Sequence, residues 1–203
     1  FFAGFSGGRK SVLPGVAARE TVLANHCSEF IAHPRSRTGI LEGNPIHNDM
    51  LWAAKQVNLR YIVNVVLNGE KQVIYAVAGD LEQAHQKGTD FLSGLCGVET
   101  VPADIVISTN GGYPLDQNIY QAVKGMTAAE ATCKDGGVII MAARCNDGHG
   151  GESFMRTVSS EKSAGDILAE IEATPKEYTV PDQWESQILV RILSRFHVVL
   201  ISE

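Results

Sequence analysis

The chain has 203 residues, of which 17 are Lys or Arg and 23 are Asp or Glu, so its formal net charge is −6. With 44% hydrophobic residues it can bury a sizeable core, and it is neither disordered nor fibrous. The acidic balance excludes the electrostatic footprint of a general nucleic-acid binder. No apolar run approaches the roughly 18 residues that a membrane-spanning helix needs. We therefore expect a soluble globular protein whose partners include neither nucleic acid nor a membrane.

The hydrophobic pattern predicts an alternation of helices and strands along the chain. The predicted helices are, in chain order, 17–30, 47–57, 81–95, 116–130, 164–173 and 182–195. The predicted strands are 61–67, 72–78, 104–108, 137–143 and 196–201, and the Asn68-Gly69 pair predicts a hairpin between the first two. The later strands are almost wholly apolar, which is typical of a parallel sheet covered on both faces. The predicted fold class is α/β: a three-layer domain with a mixed, mostly parallel sheet flanked by helices.

The chain opens without Met or a signal peptide, and a Gly-rich loop follows at once. We expect a fragment of a longer protein, because a domain seldom begins on its own ligand loop. The four cysteines are widely spaced and include no CxxC pair, which argues against a structural zinc site. Reduced thiols and a cytoplasmic location are the expectation.

The first candidate site is the Gly-rich segment 4–11, where Gly7 and Gly8 precede Arg9 and Lys10. Glycines let backbone N–H groups approach an anion, and the two cations add positive charge. A phosphate-binding loop would need Gly directly before Lys, and here Arg9 intervenes. The alternatives are a phosphate- or nucleotide-binding module without redox catalysis and an ordinary turn with solvated basic residues.

The segment after Asn110-Gly111-Gly112 predicts a helix with Asp116 as its N-cap. Positions at i, i+3, i+4 and i+7 form its predicted buried face, namely Ile119, Ala122, Val123 and Met126. Its opposite face carries Gln117, Tyr120, Gln121 and Lys124. An amide, a phenol and an ammonium together could hold a small carboxylate with a hydroxyl or keto group. The alternative is a solvated helix face.

Two single residues and one loop leave alternatives open. His26 borders an apolar helix stripe, where it is either a hydrogen-bonded boundary residue or a metal ligand. Trp184 stands at i, i+4, i+8 with Ile188 and Ile192, a pattern more typical of a core than of an active site. The loop 144–152 offers a base, a ligand or only flexibility, and its spacing does not decide among them.

Three segments together resemble the nickel-dependent lactate racemase family of 2-hydroxyacid racemases and epimerases. They are the run from Ala3 to Gly15, the pair Asn25-His26, and the run from Asn110 to Gln121 followed by Lys124 and Gly125. The run Asn-Gly-Gly-Tyr-Pro-Leu-Asp-Gln-Asn is far more specific than a single Gly-rich loop. The resemblance covers essentially the whole chain and includes the spacing between the segments. It implies an isomerase that moves a hydride from the substrate carbon to a cofactor and back.

The resemblance also implies the cofactor and the residues that hold it. Lys10 matches the lysine that carries the nickel-pincer nucleotide, a pyridinium mononucleotide with two thiocarboxyl groups, through a thioamide. Gly7 and Gly8 allow the cofactor close to the backbone. His26 matches the histidine that completes nickel coordination, and imidazole is a suitable ligand for nickel. Loading depends on the cofactor-biosynthesis enzymes, which are therefore expected partners.

A second set of matched residues implies a site for a small 2-hydroxy acid. Tyr120, Gln121 and Lys124 match residues that line this site, with Lys124 placed to pair with the carboxylate. Trp184 matches an aromatic residue near it. The family's two acid–base histidines and its substrate-binding arginine find no match here, and one of those histidines should fall just before Phe1. We therefore expect residues 1–203 to form one C-terminal, cofactor-tethering domain that lacks its N-terminal domain and is inactive alone.

Overall fold

The computed structural model describes residues 1–203 and contains eight helices, five strands and two short 3-10 helices at Gly8–Ser11 and Lys176–Tyr178. The helices are α1 (Arg19–Asn25), α2 (Ser28–Ala32), α3 (Pro45–Gln56), α4 (Leu81–Cys96), α5 (Ile119–Glu130), α6 (Glu152–Val158), α7 (Ala164–Glu172) and α8 (Gln183–Leu193). The strands are β1 (Ile62–Leu67), β2 (Val73–Gly79), β3 (Ala103–Thr109), β4 (Cys133–Ala142) and β5 (His197–Ile201). The chain forms two compact units, one of residues 1–26 and 32–99 and one of residues 27–31 and 100–203.

The first unit is built around an antiparallel hairpin. Strands β1 and β2 pair from Ile62 opposite Gly79 to Leu67 opposite Val73, with a bulge near the turn. Helix α4 packs on this hairpin, because alternate strand residues and one helix stripe are apolar. The resulting core contains Ala54, Ile62, Val77, Leu81 and Ala84. The hairpin predicted from Asn68-Gly69 is confirmed, with residues 68–72 as its loop.

The second unit is built on a parallel sheet with strand order β3-β4-β5. Helix α5 packs on β3 and β4, and α8 packs in turn on α5. The side chains of Ile139 and Met141 on β4 are fully buried. On alternate positions Ile105, Ile107 and Val199 are exposed, so helices of this chain cover one face of the sheet.

The α/β class is confirmed, and the strands divide between two sheets. The predicted helix 17–30 is two helices, because the chain leaves helical geometry at His26, where φ is −97° and ψ is 25°. Helix α5 begins at Ile119, so the prediction of Asp116 as its N-cap is wrong. Asn118 caps it instead, with its side-chain oxygen accepting from the N–H of Gln121 at 2.9 Å. None of the helices is long and apolar enough to span a bilayer.

Candidate functional site

The Gly-rich turn presents Lys10 at the rim of an open recess in the first unit. Gly7 and Gly8 have φ values of 83° and 51°, a left-handed geometry that side chains disfavour. The 3-10 helix that begins at Gly8 carries Lys10, whose residue is half-buried. The N–H of Gly8 donates to Oδ1 of Asn64 at 3.2 Å, which fixes the turn against β1. The same recess is lined by Gly7, Gly8, Lys10, Tyr61 and Asn64.

Arg9 lies in the core and not in solvent, so the alternative of an ordinary turn with solvated basic residues is wrong for Arg9. Its residue is 1% exposed, and its guanidinium donates to the carbonyl of Ala3 at 2.7 Å. It also contacts Nε2 of His85 at 2.7 Å. A local sequence pattern could not have revealed this burial, because His85 lies 76 positions further along the chain.

His26 follows α1 and is buried, with 5% of its surface exposed. The ring of Phe2 packs edge-on against it at 5.0 Å between centroids. Burial, and after it the charge of Lys10, lower the pKa of His26 to about 4. The imidazole is therefore neutral at pH 7, which is the form that binds metals. Lys10 is therefore close enough to His26 for its charge to lower the pKa of the imidazole.

The donor set around His26 permits a simple test of the implied cofactor. The chain contains no group of three or more His, Cys, Asp or Glu side chains that could hold a metal ion. His26 alone could complete the coordination of a metal that arrives with its other ligands already attached. Lys10 offers an amine at the rim of a recess beside two glycines. These residues fit a covalently tethered group that brings its own metal ligands.

Helix α5 in the second unit gathers three of the predicted substrate residues on one face. Lys124 donates from Nζ to Oε1 of Gln121 at 2.5 Å. Tyr120 accepts at its hydroxyl a hydrogen bond from Nε1 of Trp184 on α8, at 2.9 Å. All four residues are half-buried, so this is not a fully solvated helix face. The opposite face buries Ala122, Val123 and Met126 as the periodicity predicts, whereas Ile119, predicted on the same face, is half-buried.

Glu185 is a buried carboxyl in this group that the sequence analysis did not select. Its residue is 1% exposed, and its Oε1 has no hydrogen-bond partner. Burial raises the pKa of Glu185, and the nearby charge of Lys124 opposes that rise. Burial, followed by the charge of Glu185, raises the pKa of Tyr120 as well. The only signal in the sequence was its place beside Trp184 on a helix with a strong apolar stripe.

The loop 144–152 supports the start of α5. The N–H groups of Ile119 and Tyr120 donate to the carbonyls of Gly148 and His149, each at 3.1 Å. These bonds satisfy two donors that a helix otherwise leaves open at its N-terminus. Asn118 adds a contact from its Nδ2 to Asp147 at 3.3 Å. The loop thereby fixes the end of the helix that carries Tyr120 and Gln121.

Comparison with known proteins assigns the chain to a family. A family model described as the lactate racemase C-terminal domain matches residues 98–203, and one described as the lactate racemase N-terminal domain matches residues 1–39. Proteins named lactate racemase from Thermoanaerobacterium thermosaccharolyticum and Lactiplantibacillus plantarum are 58% and 55% identical over all 203 residues. These residues are 48% of each relative's length, so the chain spans about half of the curated relatives it matches.

Solved structures agree with this assignment. The structure of the lactate racemase apoprotein from Thermoanaerobacterium thermosaccharolyticum superposes on the whole chain with a TM-score of 0.98 at 58% identity, over 49% of its own length. A protein from Thermotoga maritima shares the fold alone, with a TM-score of 0.69 at 21% identity over 99% of this chain and 53% of its own. On these matches, the chain belongs to the lactate racemase family.

Proposed function

We propose that the full-length protein is a nickel-dependent racemase or epimerase of lactate-type 2-hydroxy acids, and that these 203 residues are its cofactor-tethering, C-terminal part. The observation that carries this proposal is a buried, neutral His26 whose pKa is lowered by the charge of nearby Lys10, within the segment that the lactate racemase N-terminal domain model matches. A neutral imidazole near an amine at the edge of a recess supports a tethered nickel-pincer nucleotide. Enzymes that synthesise this nucleotide and the rest of the N-terminal domain, whose family model matches residues 1–39 here, are the implied partners. We place the protein in the cytoplasm.

Each matched residue of the first unit has a separate task in this proposal. When bound, the nucleotide supplies the redox chemistry that interconverts a 2-hydroxy acid and its 2-keto acid. Lys10 holds the nucleotide through its Nζ, Gly7 and Gly8 leave room beside it, and His26 offers a ring nitrogen to nickel. These tasks use the amine, the open backbone and the neutral imidazole that the first unit contains.

The α5 residues bind and orient the substrate in this proposal. The Lys124 ammonium pairs with the carboxylate, since a charge-assisted hydrogen bond is stronger than a neutral one. The Gln121 amide and the Tyr120 hydroxyl offer hydrogen bonds to the substrate oxygens. Trp184 fixes the Tyr120 hydroxyl through the 2.9 Å bond and adds apolar surface that excludes water. Proton transfer is left to histidines outside this chain, so we propose that residues 1–203 alone are inactive.

Interconversion of D- and L-lactate by the full-length protein, produced together with the cofactor-synthesis enzymes, tests this proposal. Chiral chromatography measures the rate, and Lys124→Met should raise KM for lactate roughly 10- to 100-fold because one charged hydrogen bond is lost. Lys134→Met is the matched control, since Lys134 is an exposed lysine paired with Asp104 at 3.1 Å. No racemisation by loaded enzyme, or equal effects of the two variants, would contradict the proposal.

A plain phosphate- or nucleotide-binding module is less well supported. Arg9 is buried in the core, so it adds no solvent-facing cation to the turn. Thermal-shift titration with plain nucleotides separates the two functions, because a ligand that binds the native state raises its melting temperature. We expect no shift with plain nucleotides.

A further inference from the structure

A positive charge lies buried directly beside Lys10, with only neutral partners. Arg9 donates to the carbonyls of Ala3 at 2.7 Å and Gly7 at 3.3 Å, while its Nε has no hydrogen-bond partner. Its remaining contact is Nε2 of His85 on α4, at 2.7 Å. Burial lowers the pKa of Arg9 to about 10, so the guanidinium is still charged at pH 7. Burying a charge without a counter-charge is costly, so its retention calls for an explanation.

The contacts of Arg9 fasten the turn that leads into Lys10. The two carbonyls belong to residues on either side of Phe5-Ser6, so one guanidinium ties both ends of the bend. The bend rests directly on His85: an added Cβ at Gly8 would lie 3.2 Å from Cδ2 of its ring. Because the guanidinium holds both ends of the turn and the His85 ring packs against Gly8, the backbone of Lys10 has little freedom of orientation.

The ring of His85 has two possible partners for a single nitrogen. Its Nε2 lies 2.7 Å from Nη1 of Arg9 and 3.0 Å from the carbonyl oxygen of Ser6. An unprotonated Nε2 accepts a hydrogen bond from Arg9. A protonated Nε2 donates to the Ser6 carbonyl and places its N–H against the guanidinium. Among the neutral tautomers, the one protonated at Nδ1 accepts from Arg9. In the imidazolium both ring nitrogens carry a proton, so the contact with Arg9 becomes a repulsion.

On the proposed function, we propose that Arg9 and His85 are positioning residues that hold the Gly-rich turn so that Lys10 presents its amine to the cofactor, and that protonation of His85 releases this hold. The charged and titratable groups around His85 are Arg9, His47 on α3, stacked at 6.2 Å between ring centroids, and Glu82 on α4. Burial and then the charge of Arg9 lower the pKa of both His47 and His85. Both imidazoles are therefore neutral at pH 7.

The sign of the pH effect follows from these directions. The native state resists protonation of His85, whereas the unfolded turn takes up the proton near the ordinary histidine pKa of 6.5. The hold is complete above that value and weakens as the pH falls below it. Glu82 favours the charged form of His47, and its salt bridge to Lys55 at 2.6 Å offsets its charge.

Hydrogen exchange of the full-length apoprotein tests the hold without any cofactor. Arg9→Met should raise the exchange rates of amides in residues 4–12 roughly tenfold, since the bonds that fasten this turn are lost. Arg60→Met is the matched control, because Arg60 is exposed and its Nε contacts only Asn58. Acylation of the Lys10 Nζ by a small activated ester, which releases its alcohol as the leaving group, should change in parallel with the exchange rates when it is measured by peptide mapping.

His85→Gln separates positioning from mere packing. A glutamine amide accepts from Arg9 through its oxygen and donates to Ser6 through its nitrogen, without titrating. At pH 7 this variant should match wild type, and at pH 5 it should protect residues 4–12 better than wild type does. The exposed His197→Gln should follow wild type at both pH values. Because Gln keeps both hydrogen bonds, this comparison also serves if Arg9→Met does not fold.

The inference is overturned if Arg9→Met and Arg60→Met exchange alike in residues 4–12, or if His85→Gln follows wild type at pH 5. These results do not depend on the nucleotide. An unmodified Lys10 in wild-type protein with proven cofactor supply would instead refute the tether itself. The two failures are therefore distinguishable.

Discussion

Helix α5 approaches the parallel sheet at Gly125 so closely that a single methyl group should disturb it. An added Cβ at this position would lie 2.6 Å from Cε of Met141 and 2.8 Å from the backbone oxygen of Thr109. The methionine side chain can bend, but the strand backbone cannot give way cheaply. Gly125→Ala should therefore push α5 away from β3, together with Tyr120 and Lys124.

The magnitude follows from two opposing effects. Overpacking a well-packed core costs about 1–3 kcal/mol, and contact with backbone places this case near the upper end. Alanine gains about 1 kcal/mol over glycine in a helix, so the net loss of unfolding free energy is about 2 kcal/mol. Gly94 on α4 is the matched control, because an added Cβ there meets nothing within 4 Å. Gly94→Ala should stabilise by up to about 1 kcal/mol.

Urea denaturation followed by tryptophan fluorescence measures both variants. The chain has two tryptophans, one in each unit: Trp184 lies in the unit of Gly125, and Trp52 lies in the unit of Gly94. Trp52→Phe therefore leaves Trp184 to report on Gly125→Ala, and Trp184→Phe leaves Trp52 to report on Gly94→Ala. Loss of stability in Gly125→Ala, against a gain in Gly94→Ala, is the expected result. A Gly125→Ala protein as stable as the Gly94→Ala protein would refute the close approach of α5.

Two further predictions concern the same unit. Trp184→Phe and Tyr120→Phe, combined in a double-mutant cycle, should give a coupling energy of about 0.5–1.5 kcal/mol, because each substitution removes one partner of the same 2.9 Å hydrogen bond. A coupling energy of zero would show that this hydrogen bond is absent in solution. Burial raises the pKa of Glu185, so the native state retains a proton that the unfolded state releases above the ordinary pKa of 4.5. The free energy of unfolding should therefore fall as the pH rises above 4.5. Glu185→Gln should lack this decline in urea titrations at several pH values, and parallel profiles for the two proteins would contradict the assignment.

Local patterns predicted the elements whose faces are regular. The i, i+3, i+4, i+7 spacing located the buried face of α5 at Ala122, Val123 and Met126, because one stripe of a helix must meet the core. The hairpin followed from Asn68-Gly69 between two β-branched runs. The helix break at His26 was missed, since nothing in its neighbours is a strong breaker such as proline.

Contacts between residues far apart in the sequence are the features of the site that the sequence could not predict. The burial of Arg9 was missed because it depends on His85, 76 positions away. Glu185 was missed because its neighbours Tyr120 and Lys124 lie more than 60 positions away. The roles of Lys10 and His26 stay predictions from the resemblance. Their electrostatic proximity supports those roles.

The proposed function depends most directly on Lys10 as the residue that carries the cofactor. Intact-mass and peptide-mapping spectrometry with nickel analysis tests it on the full-length protein made together with the cofactor-synthesis enzymes. We expect a nucleotide-sized adduct on Lys10, about one nickel per chain, and loss of the adduct in Lys10→Arg but not in the control Lys134→Arg. An unmodified Lys10 without nickel, in protein from cells with proven cofactor supply, would show that Lys10 does not carry the cofactor.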